Sequence, residues 1–576
     1  MTQHFIIGKD AALETSIATM QAKLATLGFH IEERSWLNPV ADAWSVHIRD
    51  KDCPLLFTNG KGASKQAALA SALGEFFERL GCHYFWTHYY LGATIAEQDF
   101  VHYPQELWFD VPEDNVWPDN LLNDELREFY DAEAAIDLST LVDRNSGNTE
   151  RGICALPYQR QSDNETCWFP VNIIGNLYVS NGMSAGNTAT EARTQALSEI
   201  LERHVKFRVI SEGLCLPDVP EHVIARYPSI AQGINELRAA GFGILVKDAS
   251  LGGRYPVMNV TMLHPHDQGC FASFGAHPCF EVALERALTE LLQGRDLDAL
   301  AGFHPPGFDL EEIADPQNLE IHFVDSSGII SWEFLRGNPD YAFTDWNHPG
   351  TTTEEFNWLC DCIHQDDCEI YIADFTDLGV YSCRILVPSM SEIYPIDDLE
   401  WDNNSIANDL RPVIANLQNL STDDCVALLD ELNQRDIPDQ QLVAAFIGLA
   451  ADANSHWKSL RIGELKTLLA LATHDIDNAL AGCEWITSFN QIDPAQQRTY
   501  QCIATLLQLT DISLYHHSLT QLYGAATVTS AQQLISGENC FAGLTVLGVN
   551  FEGSMMHQQL LTAYRKLIGT APATNA

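Results

Sequence analysis

Basic residues are scarce in this sequence. It contains 32 lysines and arginines against 78 aspartates and glutamates, so its 576 residues carry a formal net charge of −46. A surface with this excess of acid repels phosphate backbones and anionic lipid heads. The composition therefore argues against direct nucleic-acid binding and against binding to a membrane surface, whereas a protein partner is easier to accommodate.

Long apolar runs and paired cysteine motifs are also absent. No stretch reaches the roughly 18 apolar residues of a membrane-spanning helix, and the first residues, MTQHFIIGKDAALETS, do not resemble a secretory signal. The 15 cysteines lack the paired spacing of metal sites, and the group Cys360, Cys362 and Cys368 is interpreted as thiols rather than as a metal site. We expect a cytoplasmic protein without a membrane partner.

The common nucleotide-binding motifs are missing too. Neither GxxxxGK[ST] nor GxGxxG occurs between a strand and a helix, so a Walker site and a dinucleotide-binding fold are both unsupported. Up to about residue 390, β-rich runs alternate with amphipathic helices, which predicts an α+β domain of sheets with packed helices. The strands are expected at 43–49, 168–180, 254–263, 369–376 and 380–388, and 105–165 is expected to be a long, loop-like connection.

The pattern changes beyond residue 390. A polar, turn-rich stretch at 391–405 is followed by a series of helical patterns with short breaks. Pairs of such helices are typical of helical-repeat modules, and 463–509 resembles tetratricopeptide-type pairs. The sequence thus predicts a first domain over 1–390, a linker over 391–405 and an all-α, tetratricopeptide-like domain over 406–576.

The first domain contains an internal repeat. The segments SALGEFFER (71–79), QALSEILER (195–203) and RALTELLQG (286–294) align without gaps. Their shared glutamates are Glu75, Glu199 and Glu290, and the positions three residues later hold Glu78, Glu202 and Gln293. Because residues three apart share one face of a helix, each helix is expected to present two acceptor groups side by side.

Polar residues precede each of these glutamates. Ser71, Gln195 and Arg286 lie one turn earlier on the same face, and Glu191 lies a further turn back. Ahead of the helices are stretches of small residues at 59–64, 181–188 and 273–278. We expect these to be loops whose amides, with the positive ends of the helix dipoles, can face phosphate oxygens.

Charge decides what such helices could bind if they converge. Carboxylates packed together repel one another unless protons or cations intervene. Oxygen ligands without imidazole or thiolate favour magnesium or calcium, and magnesium commonly shares its shell with nucleotide phosphates. Two alternatives remain open: solvent-exposed E-x-x-E-R helix faces without a ligand, and a calcium-binding structural protein, although the usual Asp/Asn/Gly calcium loops are lacking.

The repeated segments together resemble the YcaO family, and the resemblance covers about 1–390. It implies a non-Walker ATP site with two magnesium ions, one held by Glu75, Glu199 and Glu290 and the other by Glu78, Glu191 and Glu202. The residues expected to contact ATP are Lys9, Ser16, Ser71, Arg79, Ser184, Asn187, Gln195, Arg203 and Arg286. The segment around Lys9 and Ser16 could equally be a helix cap.

The resemblance also implies a reaction and partners. In the family, ATP activates a peptide amide by phosphorylating its oxygen, which turns a poor leaving group into phosphate. The helical extension is similar to stand-alone enterobacterial members, which implies an accessory factor for methylthiolation of an aspartate in a ribosomal protein. The implied partners are a radical-SAM methylthiotransferase, the ribosomal protein and a second copy of the chain.

Two departures argue against peptide cyclisation: no fused peptide-clamp domain with zinc-type cysteines is recognisable, and the sequence ends in LIGTAPATNA without a proline-rich tail. No catalytic residue is assigned from the sequence. The alternative function is a nucleotide-gated adaptor that recruits a client through its helical domain, with only incidental ATP hydrolysis.

Overall fold

A computed structural model describes residues 3–143, 145–397, 399, 407, 409–489 and 492–568. Its strands form three antiparallel sheets, with the orders β1-β2-β3, β10-β9-β8 and β4-β5-β11-β12-β7, and β6 also pairs with β5. The strands are β1 Ile31–Val40, β2 Ala43–Asp50, β3 Phe57–Gly62, β4 Leu107–Phe109, β5 Ile153–Arg160, β6 Thr166–Pro170, β7 Met183–Gly186, β8 Gly243–Asp248, β9 Val257–Leu263, β10 Cys270–Ala276, β11 Tyr371–Phe375 and β12 Tyr381–Leu386.

Helices cover the sheets and make up most of the chain after residue 390. Those of the first part are α1 Leu13–Leu27, α2 Lys65–Gly81, α3 Ala93–Ala96, α4 Asp124–Tyr130, α5 Val171–Ile173, α6 Ala189–Ser211, α7 Glu221–Ile224, α8 Pro228–Ala239, α9 Phe280–Leu291, α10 Leu310–Ala314, α11 Pro316–Val324 and α12 Thr352–His364. Those of the second part are α13 Arg411–Ile414, α14 Thr422–Gln434, α15 Val443–Phe446, α16 Ile462–Ala472, α17 Ile476–Phe489, α18 Pro494–Gln508, α19 His516–Tyr523, α20 Ala525–Ile535 and α21 Met555–Ile568.

The predicted fold class is confirmed: an α+β region is followed by a mostly helical one. Four of the five predicted strand regions contain the expected strand, but 168–180 does not continue as one. Strand β6 ends at Pro170, and the apolar run after it is helical over 171–178. A short apolar run fits a buried helix as well as a buried strand, so periodicity could not separate them.

The segment 105–165 is more ordered than expected. It contains β4, α4 and the eight-residue strand β5, which pairs with β4, β6 and β11. The three stretches of small residues are also not loops, since they form β3, β7 and β10 in whole or in part. The repeated unit is therefore a strand that turns directly into a helix.

The last helix packs against the first part of the chain. On α21, Leu560 and Tyr564 are fully buried in one apolar core with Phe76 and Phe77 of α2. The Trp86 indole donates a hydrogen bond to the Leu560 carbonyl at 3.0 Å. The preceding helices have a separate core around Trp457 and Leu465. The linker predicted at 391–405 lies partly outside the described residues, as do 569–576 at the end, and the domain limits remain predictions.

None of the described helices is both long and apolar enough to cross a bilayer. All fifteen cysteines lie in described positions and are unpaired. Cys360 and Cys362 are buried in the core, as expected of thiols, and Cys368 is half-buried beside Ser389.

Candidate functional site

The three repeated helices begin at corresponding sequence positions. The Ser64 hydroxyl accepts a hydrogen bond from the Ala67 amide at 3.1 Å and caps α2, and the Thr188 hydroxyl caps α6 by accepting from Glu191 N at 3.2 Å. Such oxygens satisfy amides that have no partner within the helix. At the same position Cys279 precedes α9 without a side-chain cap. The start of each helix therefore fixes where its glutamates lie relative to the preceding strand.

Glycine and alanine bring each helix close to its strand. A Cβ on Gly60 would lie 2.0 Å from the Ala68 carbonyl oxygen, and a Cβ on Gly275 would lie 2.5 Å from the Ala283 carbonyl oxygen. Hydroxyls at a second pair of matching positions tie strand to helix: Thr58 donates to Ala72 O and Ser273 to Ala287 O, each at 2.8 Å. The internal repeat is thus a repeat of tertiary packing as well as of sequence.

This packing turns the glutamates away from the sheets. On α2, Phe76 and Phe77 are fully buried against the core, whereas Glu75 and Glu78 are only half-buried. A helical period of 3.6 residues produces this separation, because the residues between the glutamates point toward the opposite side. The predicted helix faces at 75/78 and 199/202 are confirmed. On α9 the helix ends at Leu291, so Gln293 lies in the following turn, where its amide donates to Asn59 O at 2.7 Å.

Contacts between the units bring the three helices together around one polar region, which we call the recess. Lys61 of β3 forms an ion pair with Glu290 of α9. Arg286 of α9 donates to the Gln195 side chain on α6. The third link joins α6 to β10, because the Ala276 amide donates to Glu202 at 3.2 Å. The prediction from charge depended on the three helices converging, and these contacts show that they do.

Most of the glutamates meet a cation from the protein itself. Arg79 donates to Glu75 at 2.8 Å, Arg203 pairs with Glu199 at 2.8 Å and Lys9 lies 3.3 Å from Glu191. Packed carboxylates were expected to need protons or cations, and the protein supplies several of those cations itself. Five basic side chains in the recess, Lys9, Lys61, Arg79, Arg203 and Arg286, already oppose much of the negative charge.

The remaining electrostatic strain appears in the pKa values of two glutamates. Burial, and then the charge of Glu199, raises the pKa of Glu78 well above its usual range. Burial also raises the pKa of Glu199, with Glu202 adding to the effect and Arg203 opposing it. Raised carboxyl pKa values mean that adding a negative charge here is unfavourable, so a further cation in the recess would be stabilising.

The N-terminal segment closes one end of the recess. The Ser16 hydroxyl donates to the Asn187 side chain at 2.8 Å, and the Asn187 amide donates to Glu191 at 2.9 Å. The backbone amide of Asp10 donates to the same carboxylate oxygen, Oε2 of Glu191, also at 2.9 Å. Helix α1 has no side-chain cap, so the alternative in which this segment only caps a helix is not favoured.

Two other predicted residues lie at the edge of this network. Ser71 is exposed on α2, with its hydroxyl 3.5 Å from the Lys61 amide. Ser184 is buried on β7, opposite Cys383 of β12. Along α6, Glu191, Gln195, Glu199 and Glu202 follow one another over about 16 Å of helix axis, as a rise of 1.5 Å per residue requires. The recess is therefore an elongated groove.

Sequence reasoning missed several polar groups of the recess. Lys61 lies within the stretch 59–64, which was described only by its small residues, and it pairs with Glu290. Asn181 accepts a hydrogen bond from Arg203 at 3.1 Å. Glu355 of α12 and His277 after β10 are both buried, with 3.6 Å between their nearest side-chain atoms. Burial raises the pKa of Glu355 to about 7 and lowers that of His277 to about 2. Only the lysine carried a recognisable signal, since a cation between two glycines before a helix suits phosphate binding.

The donor set suits a hard cation in type. The six predicted metal ligands are all glutamates on three helices, and the set includes no histidine or cysteine. Carboxylate oxygens alone favour magnesium or calcium. In the part of the chain that the structure describes, no three Asp, Glu, His or Cys side chains are already gathered closely enough to hold an ion. Binding would require glutamates such as Glu290 to exchange their lysine or arginine partner for the metal.

An α+β region with a repeated strand–helix unit, glutamates on three helices and no Walker loop defines a distinct class of candidate nucleotide-binding protein. The chain belongs to the YcaO family. Residues 59–391 match the model of the YcaO cyclodehydratase domain, described as ATP- and Mg²⁺-binding, and residues 407–571 match that of the YcaO cyclodehydratase C-terminal domain.

Two relatives match nearly the whole chain. One, from Escherichia coli strain K12, is named ribosomal protein S12 methylthiotransferase accessory factor YcaO. It is 52% identical, with 98% of each chain covered. The other, from Haemophilus influenzae, is an uncharacterized protein that is 50% identical with the same coverage. The family resemblance inferred from the repeated glutamates is confirmed.

Solved structures of more distant proteins are also similar. A heterocyclase in complex with substrate and cofactor shares 15% identity at a TM-score of 0.45, covering 69% of this chain and 56% of its own. YcaO from Methanopyrus kandleri, bound with AMPPCP and Mg²⁺, shares 18% identity at a TM-score of 0.39, covering 68% of this chain and 95% of its own.

Proposed function

We propose that this chain binds ATP with magnesium in the recess and uses it to assist the modification of a ribosomal protein. The observation that carries the proposal is the meeting of Glu75/Glu78, Glu199/Glu202 and Glu290 with five basic side chains in one groove. The family description supports ATP and Mg²⁺, and the relative from E. coli, named as a methylthiotransferase accessory factor for S12, supports the ribosomal client.

The recess offers separate groups for metal and phosphate. In the proposal Glu75, Glu199 and Glu290 hold one magnesium ion, and Glu78, Glu191 and Glu202 hold a second. When bound, magnesium offsets phosphate charge and stabilises the charge that develops in phosphoryl transfer. Arg79, Arg203 and Arg286 would exchange glutamate and glutamine partners for phosphate oxygens, for which the guanidinium fork is well shaped.

The N-terminal contacts suit the rest of the nucleotide. Lys9 and Asn187 contact Glu191 at one end of the groove, and Ser16 donates to Asn187. Gln195 lies between this end and the proposed triphosphate end. Ser71 and Ser184 stand at the groove's edges and complete the proposed ATP contacts. We infer that the groove orients ATP along α6, with the phosphates toward Glu199 and Glu202.

The proposed reaction is activation of a protein amide. A nucleophile from a side chain or a second molecule adds to the amide carbon, a phosphoryl group passes from ATP to the resulting oxygen, and the C–O bond then breaks to release that oxygen as phosphate. This chain's part is to hold the phosphates in line and exclude competing water, because phosphoryl transfer depends mainly on positioning and charge. A cytoplasmic location, a homodimer and a radical-SAM methylthiotransferase as partner belong to the same proposal.

Calorimetric titration with Mg²⁺–ATP tests the site. Glu199→Gln and Arg203→Ala each remove one side of a half-buried ion pair, so affinity should fall about 30-fold or more, as expected for about 2 kcal/mol or above. Glu212→Gln is the matched control, because Glu212 pairs with Arg208 on the exposed end of the same helix. Unchanged affinity in both recess variants would rule out this site.

ATP turnover separates the proposal from the adaptor alternative. Turnover that rises when the S12 protein and its methylthiotransferase are added supports amide activation. Tight Mg²⁺–ATP binding with no turnover under the same conditions favours a nucleotide-gated adaptor. Light scattering of the full chain tests the dimer.

A further inference from the structure

A cavity of mixed polar and apolar lining lies just beyond the recess. It has a volume of about 90 Å³ and is bounded by the end of α2, the loop that follows it, strand β12 and helix α21. Its lining includes Cys82, His102, Asp143, Arg384 and Tyr564. Since a water molecule needs about 10–15 Å³ of such space, the cavity has room for several waters or one small polar group.

The cavity is adjacent to the recess along α2. Cys82 follows Glu78 by four residues, which is about one helical turn. Its buried thiol has a raised pKa because of burial, with Glu78 adding to the effect and Arg384 opposing it. Cys82 therefore lies within electrostatic range of the acidic recess on one side and of the Arg384 guanidinium on the other.

Arg384 is the unusual member of the lining. It occupies the middle of β12, paired with Met183 of β7, and is only 5% exposed. Its Nη2 group donates hydrogen bonds to the carbonyl oxygens of Ile174 and Val179. The buried Nε–H has no hydrogen-bond partner, and in the described part of the chain Arg384 forms no ion pair.

Such an arrangement is unfavourable without an added anion. A guanidinium keeps its proton at any ordinary pH, so it cannot shed its charge as a buried carboxyl can. A buried charge that lacks a partner costs several kcal/mol. The nearby acid is already engaged, because Asp143 pairs with His102 at 2.6 Å. The cavity is thus lined by a buried cation that has no carboxylate partner among the described residues.

We propose that this cavity binds a carboxylate, held by the guanidinium of Arg384. A carboxylate can accept a charge-assisted hydrogen bond from a guanidinium N–H that Ile174 and Val179 do not engage. The nearby charges of Asp143 and Glu78 disfavour a more highly charged anion such as phosphate. Thr87 and Gly175 are partly exposed members of the lining.

The position suggests what carries the carboxylate. Because Cys82 in the lining lies about one helical turn from Glu78, a carboxylate bound in the cavity lies near the recess, so the cavity can hold an acidic side chain of the acceptor protein. This acceptor assignment rests on the proposed function. Carboxylate binding by itself does not, because it involves none of the proposed ATP contacts.

Binding of small probes to the full chain, without nucleotide or magnesium, tests the proposal. The probes are sodium acetate, its neutral isostere acetamide, inorganic phosphate, and N-acetylaspartate N′-methylamide as a peptide mimic, each followed by calorimetry or ligand-observed NMR. We expect acetate to bind at least tenfold more tightly than acetamide or phosphate. Equal binding of acetate and acetamide, or preference for phosphate, overturns the proposal.

Variants locate the binding. Arg384→Met should remove acetate binding, and Arg384→Lys should retain part of it. Arg160→Met, in an exposed hairpin where Arg160 pairs with Asp163, is the control and should bind acetate normally. Gly175→Leu supplies a test that keeps the arginine. A Cβ at Gly175 meets Thr87 at 3.5 Å, an ordinary contact, so the longer leucine side chain can occupy space in the cavity and should weaken acetate binding. Acetate binding that persists in both Arg384→Met and Gly175→Leu overturns the proposal.

The peptide mimic separates the two sources of a carboxylate. Tighter binding of the mimic than of acetate supports an acceptor side chain, whereas tighter binding of acetate overturns that assignment. Loss of Mg²⁺–ATP binding in the wild-type chain with acetate binding intact would reject the proposed function while leaving the cavity. Mg²⁺–ATP binding without acetate binding would reject the cavity alone.

Discussion

The recess and the cavity lie one helical turn apart on α2, yet their charges are compensated in different ways. In the recess, glutamates such as Glu75 and Glu199 are paired with arginines from their own helices. In the cavity, the Arg384 guanidinium is buried against carbonyl oxygens and has no carboxylate partner among the residues that the structure describes. The first region can accept more positive charge, and the second can accept negative charge.

A second comparison explains why only one of two buried ionisable groups requires a ligand. Among the described residues, neither oxygen of Glu355 has a hydrogen-bond partner at normal geometry, although His277 lies 3.6 Å away, and burial raises the pKa of Glu355 to about 7. Protonation lets that carboxyl become neutral. Arg384 has no such option, because the guanidinium remains charged. An unpaired buried arginine is therefore a stronger indication of a missing anion than an unpaired buried glutamate is of a missing cation.

Removing the wall of the cavity should have the largest effect. Tyr564 is fully buried, packs edge-on against Trp86 at 5.1 Å and donates its hydroxyl to the Val101 carbonyl. Tyr564→Ala should lower the free energy of unfolding by about 3–5 kcal/mol, as for other large-to-small core changes, and abolish acetate binding. Urea unfolding followed by tryptophan fluorescence measures the first effect.

Tyr564→Phe is the control, because it removes only the hydroxyl and should cost about 1 kcal/mol. Equal losses in the two variants would show that α21 contributes little packing to the first part of the chain.

Disturbing α9 should break the recess and leave the cavity. A Cβ on Gly275 would lie 2.4 Å from Ala287 N and 2.5 Å from Ala283 O, so Gly275→Ala must move the helix that carries Arg286 and Glu290. We expect a loss of about 3 kcal/mol in stability, at the upper end for overpacking. Mg²⁺–ATP affinity should fall, while acetate binding should remain; calorimetry measures both.

Gly74→Ala provides the matched glycine control. Its Cβ would meet nothing within 4 Å, and alanine is favoured over glycine within a helix by about 1 kcal/mol. A stability gain in this variant together with a loss in Gly275→Ala supports close strand–helix packing as the cause. Equal changes would contradict it.

The pH dependence of stability should distinguish Glu355, whose charge changes with pH, from Arg384, whose guanidinium remains charged. The pKa of Glu355 is 4.5 ordinarily and about 7 in the folded protein. The folded state therefore holds an extra proton between these values, and stability is lost as pH rises from about 4.5 to 7. The loss should be at most about 3.5 kcal/mol, since the two values differ by about 2.5 and one pKa unit corresponds to about 1.4 kcal/mol.

Glu355→Gln should flatten this part of the stability profile, as measured by urea unfolding from pH 4.5 to 8. Glu354→Gln is the neighbouring control, because the Thr351 backbone amide, and then its hydroxyl, lower the pKa of Glu354. The decline between pH 4.5 and 7 should persist in that control. A wild-type slope in Glu355→Gln would show that another group causes it.

Local patterns determined which residues share a helix face. The spacing of glutamates and alanines predicted the positions of Glu75, Glu78, Glu199 and Glu202 because the helical period depends only on the nearby backbone. The same reasoning could not separate helix from strand over 171–178, where a short apolar run satisfies both. It also missed that the small-residue stretches before the helices are strands, because their pairing partners are distant in sequence.

The sequence by itself determined the α+β and helical regions, the repeated unit and the family, since these follow from periodicity and motif spacing. Only the tertiary structure decided that Lys61 pairs with Glu290, that Arg286 reaches Gln195 and that α21 returns to the first part of the chain. Only the tertiary structure shows that Arg384 is buried in the lining of the cavity. Pairing and burial depend on where distant segments pack. An arginine in a strand has the same local sequence pattern whether it is exposed, ion-paired or buried without a carboxylate partner.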